Sequence, residues 1–512
     1  MDWLKDLHVL VLGLGDSGLA MARWCARFGA EVSVWDSREQ PPQADTLARE
    51  LPQVQRLAEL PLPLSQHGFQ LVLKSPGLSP HDPRVAPALQ DARDSAIALL
   101  GELDLFVRAL ADLKASQGYS PQVLAITGTN GKTTTTAMTA LLVERAGKTV
   151  STAGNIGPSL LDTLTARLDE LPQVWVLELS SFQLDTVRGF EPAAAALLNI
   201  TQDHLDWHGD MAAYTAAKAR IFGPDDGATV MVINRDDPRV EALTPQAAAT
   251  KGKTKAHVRS VVGFSLQAPR RPGDFGLVVE NGMAWLVRAL PADPTVKRRK
   301  DDEPEEIHLQ RLMPADALRI RGRHNAANAL AALALATAIG CALAPMLHGL
   351  REYGGEPHRV ELVARISNDD GEVEAYDDSK GTNVGATVAA LTGLGADKSP
   401  AKLVVILGGD GKGQDFAPLA APLARHARAI ATIGRDAQRI EDAVAEAIRG
   451  MPLQRHASLE HAVAWCFEQA RAGDAVLLSP ACASLDMFRN YAHRADVFVA
   501  AVRELAAERG TV

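Results

Sequence analysis

Residues 123–142 place an apolar run, a glycine-rich turn and a threonine-rich segment one after another. Residues 123–126 have the character of a buried strand, and the residues after Lys132 have that of a helix. The turn between them reads TGTNGKTT and covers residues 127–134. Glycines in such a turn let backbone N–H groups crowd around phosphate oxygens at a positively polarised helix N-terminus. The stretch therefore predicts an α/β fold that binds a nucleoside triphosphate.

Two side chains of this turn have the chemistry that ATP and Mg²⁺ require. Lys132 can reach the outer phosphates, and Thr133 offers a hydroxyl to Mg²⁺. Ile126 stands where the usual phosphate loop has its first glycine, so the turn is a variant. A glycine and threonine turn with a surface lysine is the alternative interpretation, but the strand and the helix on either side favour phosphate binding.

The length and charge of the chain limit what it can bind. A chain of 512 residues exceeds the size of one hydrophobic core and predicts two to four domains. Its net charge of −9 argues against nucleic acid and against a membrane surface as partners. The first residues lack the pattern of a signal peptide, no run is long enough to span a membrane, and the four cysteines are scattered. We therefore expect a cytoplasmic protein with reduced thiols.

A second glycine-rich turn lies near the N-terminus. The strand pattern of His8–Leu12 leads into GLGDSG at residues 13–18, and a second strand pattern, Glu31–Trp35, is followed by Asp36. This spacing is that of the dinucleotide-binding fingerprint. Taken alone, it leaves open NAD, another nucleotide or a purely structural turn. A later strand also ends in a polar turn, at residues 74–78, where open α/β sheets bind ligands.

Strand and helix patterns alternate along most of the chain, which predicts mostly parallel sheets. We predict three α/β domains: a Rossmann-like domain at residues 1–100, a central phosphate-loop ATPase-type domain at 101–355 and a Rossmann-like domain at 356–512. Residues 247–312 break the alternation, and within them a basic run continues into an acidic run at 297–306. We interpret this range as a variable insertion with a solvated loop. A basic docking patch is the alternative, which the adjacent acidic run disfavours.

Polar residues follow the strands of the central domain. Glu178 ends a strand beside the phosphate loop, where its carboxylate suits a Mg²⁺ ligand. The alternative is a surface glutamate or a helix cap. His204 follows another strand. It is either a ligand or a histidine without a functional role. Lys218 lies on a helix with small apolar neighbours, and a solvated lysine is its default interpretation. Asn325 and Asn328 share a helix face and suit adenine or ribose, with helix capping by Asn325 as the alternative.

Three polar loops follow strands of the C-terminal domain. They cover residues 377–383, 408–413 and 479–484 and contain Lys380 and Lys412. Together they predict a basic pocket for an anionic small molecule, an amino acid with an extra carboxylate being one candidate. Glycine-rich turns without a function are the alternative for each loop taken singly.

The order of these motifs resembles that of the Mur ligases over essentially the whole chain. The motifs are TGTNGKTT, ELSSFQLD, DHLD followed by YTAAK, GRHNAANALA, PHR, DDSKGTN, GGDGKG and SPACASLDMF. Within that family, ELSSFQL, DDSKGTN and SPACASLD resemble the D-glutamate-adding members. Another Mur-type or folylpolyglutamate-type ligase is the alternative.

The resemblance implies an ATP-dependent ligase of cytoplasmic peptidoglycan precursor synthesis. Its expected substrates are UDP-N-acetylmuramoyl-L-alanine and D-glutamate, which it would join through an acyl phosphate with release of ADP and phosphate. The N-terminal domain would then hold UDP rather than NAD. The resemblance further implies two Mg²⁺ ions, a carbamate formed from CO₂ on Lys218, and a monomer.

The resemblance also implies roles for individual residues. The catalytic residues would be Lys132, Glu178, His204 and Lys218. The metal ligands would be Thr133, Glu178, His204 and Lys218. ATP would contact Gly128, Thr129, Asn130, Gly131, Lys132, Thr133, Thr134, Asn325, Asn328, Arg359 and Asp378. The two other substrates would contact Leu14, Ser17, Asp36, Ser37, Arg38, Ser75, Gly77, Asn155, Gln183, His204, Lys380, Thr382, Lys412, Ser484, Leu485 and Tyr491, of which Tyr491 stands where the family commonly has Phe.

Two other classes of protein fit parts of the pattern. An NAD-dependent oxidoreductase would use the N-terminal glycine turn but leaves the phosphate loop and residues 377–383 without a role. A non-catalytic nucleotide-binding regulator would not need Glu178, His204 and Lys218 together. Both alternatives therefore account for less of the chain than a ligase does.

Overall fold

The computed structural model describes residues 1–245, 259–293, 306–320, 322–368 and 371–509. The chain forms two compact units. Unit 1 comprises Met1–Ile200, His204–Met313 and Ala329–Leu350, and unit 2 comprises Thr201–Asp203, Pro314–Asn328 and Arg351–Val512. The charged run predicted to be a solvated loop lies, apart from Glu306, outside the described residues.

The first sheet of unit 1 is entirely parallel. Its strands are β1 (His8–Leu12), β2 (Glu31–Trp35), β3 (Gln55–Arg56), β4 (Leu71–Lys74) and β5 (Ala98–Leu100), in the order β3-β2-β1-β4-β5. Its helices are α1 (Asp16–Arg27), α2 (Ala44–Glu50), α3 (Ala86–Asp94) and α4 (Glu102–Gln117). The chain leaves β1 toward one side and returns to β4 on the other, so the crevice where such sheets bind ligands lies between β1 and β4.

Alternate residues of β1 explain its continuous apolar sequence. Val9 and Val11 pack into one hydrophobic cluster, and Leu10 and Leu12 into another. A parallel strand buried on both faces has no position for a polar residue, which is why it lacks the alternation of a half-exposed strand. The predicted strands His8–Leu12 and Glu31–Trp35 are confirmed.

The second sheet of unit 1 has nine strands. They are β6 (Gln122–Thr127), β7 (Val150–Gly154), β8 (Val174–Glu178), β9 (Ala194–Leu197), β10 (Val230–Asn234), β11 (Val261–Phe264), β12 (Phe275–Glu280), β13 (Met283–Pro291) and β14 (Ile307–Pro314). The helices along this part of the chain are α5 (Lys132–Arg145), α6 (Leu160–Arg167), α7 (Ser181–Leu184), α8 (Leu205–His208), α9 (Met211–Ala219), α10 (Pro238–Glu241), α11 (Arg323–Ala338) and α12 (Leu343–Glu352). The strand order is β14-β13-β12-β11-β10-β9-β6-β8-β7.

Residues 247–312 contribute more to this sheet than the sequence analysis predicts. The strands β11 to β14 extend the sheet beyond β10, and β12 pairs antiparallel with β13 across the turn at Asn281 and Gly282. The alternation of strand and helix breaks at β12 and β13, because a hairpin rather than a helix joins these two strands. The described part of this range is therefore a continuation of the sheet.

Unit 2 contains the third sheet. Its strands are β15 (Glu361–Asn368), β16 (Gly371–Asp377), β17 (Leu403–Gly408), β18 (Ala427–Ile433), β19 (Leu453–Arg455) and β20 (Ala475–Leu478), in the order β15-β16-β20-β17-β18-β19. Its helices are α13 (Val384–Lys398), α14 (Ala420–His426), α15 (Ala437–Val444), α16 (Leu459–Gln469) and α17 (Tyr491–Glu508). Only β15 runs antiparallel to its neighbour among the described pairs. The predicted α/β class with mostly parallel sheets is confirmed.

Among the described residues, no helix combines the length and the apolar character needed to cross a bilayer.

Candidate functional site

Three neighbouring strands of the second sheet end at the phosphate loop. The strands β9, β6 and β8 lie side by side and run parallel. The loop that follows β6 is therefore flanked by Glu178 at the end of β8 and by Asn199, which follows β9. Residues far apart along the chain meet here because parallel strands present their carboxyl ends at one edge of a sheet.

The phosphate loop, residues 128–131, depends on its glycines for its shape. Gly128 has φ +155°, and Gly131 has φ +82° at the N-cap of α5. A Cβ on Gly128 would lie 3.0 Å from Cβ of Leu198 on the adjacent strand connection. Lys132 Nζ donates to the carbonyls of Gly128 and Thr129 at 3.0 Å each. The side chain of Lys132 thus lies across the loop in which it is predicted to contact the phosphates.

Asn199 holds this loop from the side of β9. Its Oδ1 accepts from the backbone N–H of Asn130 at 2.8 Å, and its Nδ2 donates to the carbonyl of the same residue at 3.0 Å. The carbonyl of Asn199 also accepts from the N–H of Thr129 at 2.9 Å. Sequence reasoning assigned no role to Asn199. Its position directly after an apolar strand was the one available signal.

Lys218 reaches the phosphate loop from α9. Its Nζ donates to the carbonyl of Gly128 at 2.9 Å and lies 4.7 Å from the ring centroid of Tyr214. The hydroxyl of Tyr214 is hydrogen-bonded to Oγ1 of Thr129 at 3.1 Å. Only 2% of Lys218 is exposed, so the default interpretation of a solvated surface lysine is wrong. Asp210 is the N-cap of α9, the helix that carries the lysine, and its side chain accepts from the N–H of Ala213.

Glu178 has the donor chemistry that a Mg²⁺ ion requires. The residue is 1% exposed, and its Oε1 accepts from Nδ2 of Asn155 at 2.9 Å. Its Oε2 is buried and has no hydrogen-bond partner among the described residues. Because a buried carboxylate oxygen without a partner is costly, this atom fits a cation bound beside the phosphate loop. The alternative of a surface glutamate is excluded by its burial.

His204 lies beside an aromatic cluster on the same edge of the sheet. It has φ +54°, precedes α8, and its ring stands edge-on to Phe182 with a centroid distance of 4.7 Å. His208, on the same short helix, bonds Ser181 Oγ through Nε2 at 2.9 Å. Burial lowers the pKa of His208 to about 4, so this ring is neutral at physiological pH. His208 is thus a packed core histidine, in contrast to the predicted role of His204.

A cavity of about 700 Å³ opens between the ends of β1 and β4. Of the predicted substrate residues, its lining includes Ser17, Ser37, Arg38, Ser75 and Gly77. The glycine turn at its edge is tight, because a Cβ on Gly18 would lie 1.8 Å from the carbonyl oxygen of Gly13. Such a turn brings the backbone close to a ligand.

Asp36 and Leu14 stand beside this cavity rather than in its lining. Oδ2 of Asp36 accepts from the N–H of Leu14 at 2.6 Å and from Arg38 Nη2 at 2.8 Å. Burial opposes ionisation of Asp36, but the hydrogen bonds from Arg38 and Leu14 outweigh it and lower the pKa of the carboxyl. The side chain of Leu14 is completely buried.

Arg84 and Trp207 are among the lining residues of this cavity that were not predicted. Arg84 donates from Nη1 to the carbonyl of Ser37 at 3.1 Å, and Trp207 contributes from α8. An exposed arginine in a loop carries no sequence pattern, and Trp207 lies on α8, far along the chain from the N-terminal glycine turn. Neither could be found without the tertiary structure.

A second cavity of about 420 Å³ is lined by residues that follow both sheets of unit 1. Ser17 and Gly77 line it as well as the first cavity, so the two adjoin. Asn155 and Gln183 line its other end. Gln183 is fixed by a capping box in which its Oε1 accepts from the N–H of Ser180 at 3.0 Å. The cavities therefore connect the N-terminal glycine turn with Asn155, the partner of Glu178.

The predicted adenine residues of unit 2 are buried. Nδ2 of Asn328 donates to Oδ1 of Asn325 at 3.1 Å, and each residue is 8% exposed. The helix begins at Arg323, so Asn325 lies within its first turn and is not its cap. Arg359 stands between two residues with positive φ, His358 at +64° and Val360 at +50°. The backbone is thus unusual on both sides of the arginine.

Asp378 is the most strongly perturbed carboxyl among the predicted site residues. Its Oδ2 accepts from Ser479 Oγ at 2.7 Å. Burial raises the pKa of Asp378 to about 7, although the hydroxyl of Ser479 and the charge of Arg359 favour the ionised form. The neighbouring Asp377 bonds Nδ1 of His358 at 2.6 Å.

The three polar loops of unit 2 meet at one edge of its sheet. We call residues 377–383 loop A, residues 408–414 loop B and residues 479–485 loop C. They follow β16, β17 and β20, and β20 lies between the other two strands. Loops B and C are joined by an antiparallel bridge between Asp410 and Ala483, and the N–H of Val384 after loop A donates to Gln414 in loop B at 3.0 Å.

The predicted amino-acid residues all lie on or beside these loops. Lys380 and Thr382 are in loop A, Lys412 is in loop B with φ +48°, and Ser484 and Leu485 are in loop C. Lys380 Nζ lies 5.4 Å from the ring centroid of Tyr491, the first residue of α17. Leu485 is 69% exposed, whereas Ser484 is 4% exposed. The topology therefore gathers residues that are more than a hundred positions apart in the sequence.

Comparison with known proteins adds a family relationship. The model described as "Mur ligase MurD-like, N-terminal domain" matches residues 7–101, "Mur ligase middle domain" matches 126–336, and "Mur ligase, glutamate ligase domain" matches 358–482. The chain is 60% identical to a UDP-N-acetylmuramoylalanine--D-glutamate ligase of Albidiferax ferrireducens, over 100% of this chain and 98% of that protein. It is 57% identical to the ligase of the same name from Burkholderia mallei, over 98% of each chain.

Solved structures share the fold at low sequence identity. A MurF ligase from Thermotoga maritima in complex with ADP matches with a TM-score of 0.56 at 14% identity, over 99% of this chain and 100% of that one. The UDP-N-acetylmuramate-alanine ligase MurC of the same organism matches with a TM-score of 0.54 at 19% identity, over 97% and 99%.

Proposed function

The chain belongs to the Mur ligase family, and from this premise we propose how its two units divide one reaction. The chain is an ATP-dependent ligase that adds D-glutamate to UDP-N-acetylmuramoyl-L-alanine in peptidoglycan precursor synthesis. The observation that carries this conclusion is the likeness, at 60% identity over the full chain, to a ligase named for that reaction.

The chemistry proceeds in two steps. A carboxylate oxygen of the UDP-linked substrate attacks the γ-phosphorus of ATP, the bond to the β-phosphate oxygen breaks, and ADP leaves. The amine of D-glutamate then attacks the acyl carbon, phosphate leaves with the electrons of the broken C–O bond, and the nitrogen loses a proton. Splitting the synthesis in this way gives the acyl carbon a better leaving group, phosphate in place of hydroxide, before the amine attacks. Lys132 and the N–H groups of the phosphate loop would stabilise charge on the transferred phosphoryl group.

Residues around the phosphate loop would hold Mg²⁺. We assign Thr133, Glu178 and His204 as ligands, together with a carbamate on Lys218, and expect two ions. When bound, Mg²⁺ neutralises phosphate charge and so lowers the repulsion between two anionic reactants. The buried Oε2 of Glu178 supports this assignment, since no described residue bonds it.

The carbamate on Lys218 has a specific test. Nζ would attack CO₂ and release a proton, which turns a cation into an anion suited to Mg²⁺. We expect Lys218→Ala to lose most activity, to regain part of it in added short-chain carboxylates, and to lose the carbonyl signal that ¹³CO₂ gives the wild type in NMR. Full activity of the unsupplemented variant would exclude the carbamate role.

The substrates are assigned to the cavities and loops described above. The UDP part would lie against Leu14, Ser17, Asp36, Ser37, Arg38, Ser75 and Gly77, and the muramoyl-alanine part against Asn155, Gln183 and His204. ATP would also contact Asn325, Asn328, Arg359 and Asp378. D-glutamate would be held by Lys380, Thr382, Lys412, Ser484, Leu485 and Tyr491. The hydrogen-bonding lining of the first cavity, with Arg38 at its edge, supports a diphosphate there.

We also propose the domain boundaries 1–100, 101–355 and 356–512. The three sheets and the separate family matches at 7–101, 126–336 and 358–482 support them. We also propose a monomer, because the resemblance to the Mur ligases implies one. The cytoplasm is the proposed location because ATP and UDP-linked sugars are found there.

Phosphate release from ATP tests the reaction directly. The enzyme is supplied with UDP-N-acetylmuramoyl-L-alanine and, in parallel reactions, with D-glutamate, L-glutamate, L-lysine or meso-diaminopimelate. We expect sustained release with D-glutamate alone. Equal release with any of the other three amino acids would contradict the assignment, and absence of repeated turnover would favour a nucleotide-binding regulator.

A further inference from the structure

Arg494 is a buried cation whose three hydrogen bonds all reach two of the loops in unit 2. It lies on α17 and is 1% exposed. Its Nε donates to Ser379 Oγ at 3.0 Å, its Nη2 to the carbonyl of Ser379 at 2.7 Å, and its Nη1 to the carbonyl of Cys482 at 3.1 Å. Ser379 belongs to loop A and Cys482 to loop C, so one guanidinium joins both loops.

The same contacts reach the start of α17. Ser379 Oγ, which accepts from Arg494, donates in turn to the carbonyl of Tyr491 at 2.7 Å. Ser379 is completely buried and stands next to Lys380, while Cys482 stands two positions before Ser484. The network thus lies directly behind the residues to which D-glutamate is assigned.

The charge of Arg494 has no ionic partner in the part of the chain that the structure describes. All of its hydrogen bonds go to neutral oxygens. The three carboxylates whose charges act on it are bonded to other groups: Asp377 to His358 at 2.6 Å, Asp378 to Ser479 at 2.7 Å, and Asp486 to the N–H of Arg435 at 2.9 Å. Burial lowers the pKa of Arg494 to about 10, which leaves the guanidinium charged at physiological pH. Because burying a cation without a counter-ion is costly, a purely structural network would be better served by a neutral side chain.

We propose that Arg494 is a positioning residue for the amino-acid substrate, holding loops A and C in the geometry that receives D-glutamate and directing positive potential toward its two carboxylates. This inference rests on the proposed function, because it takes D-glutamate as the ligand of these loops. Arginine suits the task because its planar fork presents several donors in fixed directions, so two loops can be held by one side chain.

The test measures a KM for each substrate in Arg494→Met and Arg494→Lys. We expect Arg494→Met to raise the KM for D-glutamate about 10- to 100-fold, since charge-assisted hydrogen bonds are lost. The KM values for ATP and for the UDP-linked substrate should stay within about twofold. Arg494→Lys keeps the charge and is expected to recover part of the affinity for D-glutamate without restoring both loop contacts.

Arg428→Met is the matched control. Arg428 lies on β18 of the same unit and is paired with Asp474, away from loops A and C. Its loss should lower thermal stability and leave the KM for D-glutamate unchanged. This control separates a general loosening of unit 2 from a defect in amino-acid binding.

Two outcomes would overturn the inference. One is an unchanged KM for D-glutamate in both folded Arg494 variants, and the other is an equal rise in the KM values for all three substrates. A wild type that uses a different amino acid would instead overturn the proposed function. The KM for that amino acid in the Arg494 variants would then still decide whether Arg494 positions the loops.

Discussion

The phosphate loop of unit 1 and the amino-acid loops of unit 2 both bind cations through their backbone carbonyls, but they use different side chains. In unit 1, Lys132 and Lys218 both donate to the carbonyl of Gly128. In unit 2, Arg494 donates to carbonyls of two separate loops and to a hydroxyl. Lys132 lies across the phosphate loop and Lys218 is buried against Gly128, both beside the proposed phosphate and metal site, whereas Arg494 lies behind loops A and C.

This difference follows from what the two side chains can do. A lysine ammonium is a point charge on a flexible stem, so it can exchange a carbonyl for a phosphate oxygen without disturbing the loop. A guanidinium with three directed bonds cannot leave without releasing both loops. We therefore propose that Lys132 is the cation that takes part in the reaction and that Arg494 is the cation that shapes the amino-acid site.

The two regions also differ in what keeps their loops in place. The phosphate loop is held by a neutral amide, that of Asn199, through bonds of 2.8 and 3.0 Å to Asn130. Loops A and C are held by the charge of Arg494. Where phosphates and Mg²⁺ are the proposed ligands, the side chain that holds the loop is neutral. Where the expected ligand is a dicarboxylate, the clamp is a cation.

The strongest test of this contrast is Lys132→Ala. Loss of a donor that stabilises the transferred phosphoryl group should lower kcat about 100- to 1000-fold, while the KM for D-glutamate changes little. Steady-state kinetics with saturating UDP-linked substrate would measure both values. Lys114→Ala, on the exposed part of α4, is the control and should behave as the wild type. A Lys132 variant whose main defect is in D-glutamate binding would remove the distinction between the two regions.

Asn199→Ala tests whether the neutral clamp matters for nucleotide binding. The substitution removes two side-chain hydrogen bonds to the phosphate loop, and we expect a rise of about tenfold in the KM for ATP with a smaller fall in kcat. Asn234→Ala is the control, because Asn234 bonds the carbonyl of Leu198 at 2.8 Å without touching the loop. The clamp would have no functional role if both variants changed the KM for ATP by the same factor.

Asp378→Asn gives the smallest expected effect, a pH-dependent change in stability. The pKa of Asp378 is raised to about 7 by burial, so the folded state favours the protonated form. Stability that is present below the unfolded pKa is lost as pH rises through the folded pKa. Asparagine does not ionise, so its burial costs no additional free energy as the pH rises. We therefore expect the Tm of the variant relative to the wild type to rise by a few degrees between pH 5 and pH 8.

Differential scanning calorimetry at the two pH values would measure this effect. The exposed Asp415 of the same unit offers the control Asp415→Asn, whose Tm difference from the wild type should not vary with pH. A Tm difference for Asp378→Asn that is constant or falls with pH would show that the carboxyl does not titrate in this range.

Local patterns predicted the parts of the molecule that are built from consecutive residues. The phosphate loop needs glycines at fixed positions between a strand and a helix, and its course from β6 to α5 is as expected. The burial of β1 on both faces likewise appears in the sequence as an unbroken apolar run. The strands β11 to β14 were not predicted, because β12 and β13 are joined by a hairpin and no helical spacing separates these two strands.

Long-range contacts were predicted poorly for residues that belong to no recognisable sequence pattern. Lys218 has small apolar neighbours, which from sequence favoured a solvated lysine, and only packing of α9 against the phosphate loop buries it. Asn199 offered only its position after an apolar strand, and Arg494 carried no pattern. Their partners are 69 and 115 residues away. Only the resemblance to the Mur ligases pointed to Lys218 before the structure was considered.

The sequence by itself determined the α/β class, the phosphate loop, the N-terminal glycine turn and, through the order of its motifs, the family. These features depend on backbone conformation and on apolar spacing, both of which are encoded in neighbouring residues. The tertiary structure alone decided that Lys218 is buried on Gly128, that Glu178 keeps a buried oxygen without a partner, and that Arg494 joins loops A and C. These depend on which strand ends become neighbours in a sheet, because burial and electrostatic environment arise from residues that the chain brings together only when it folds.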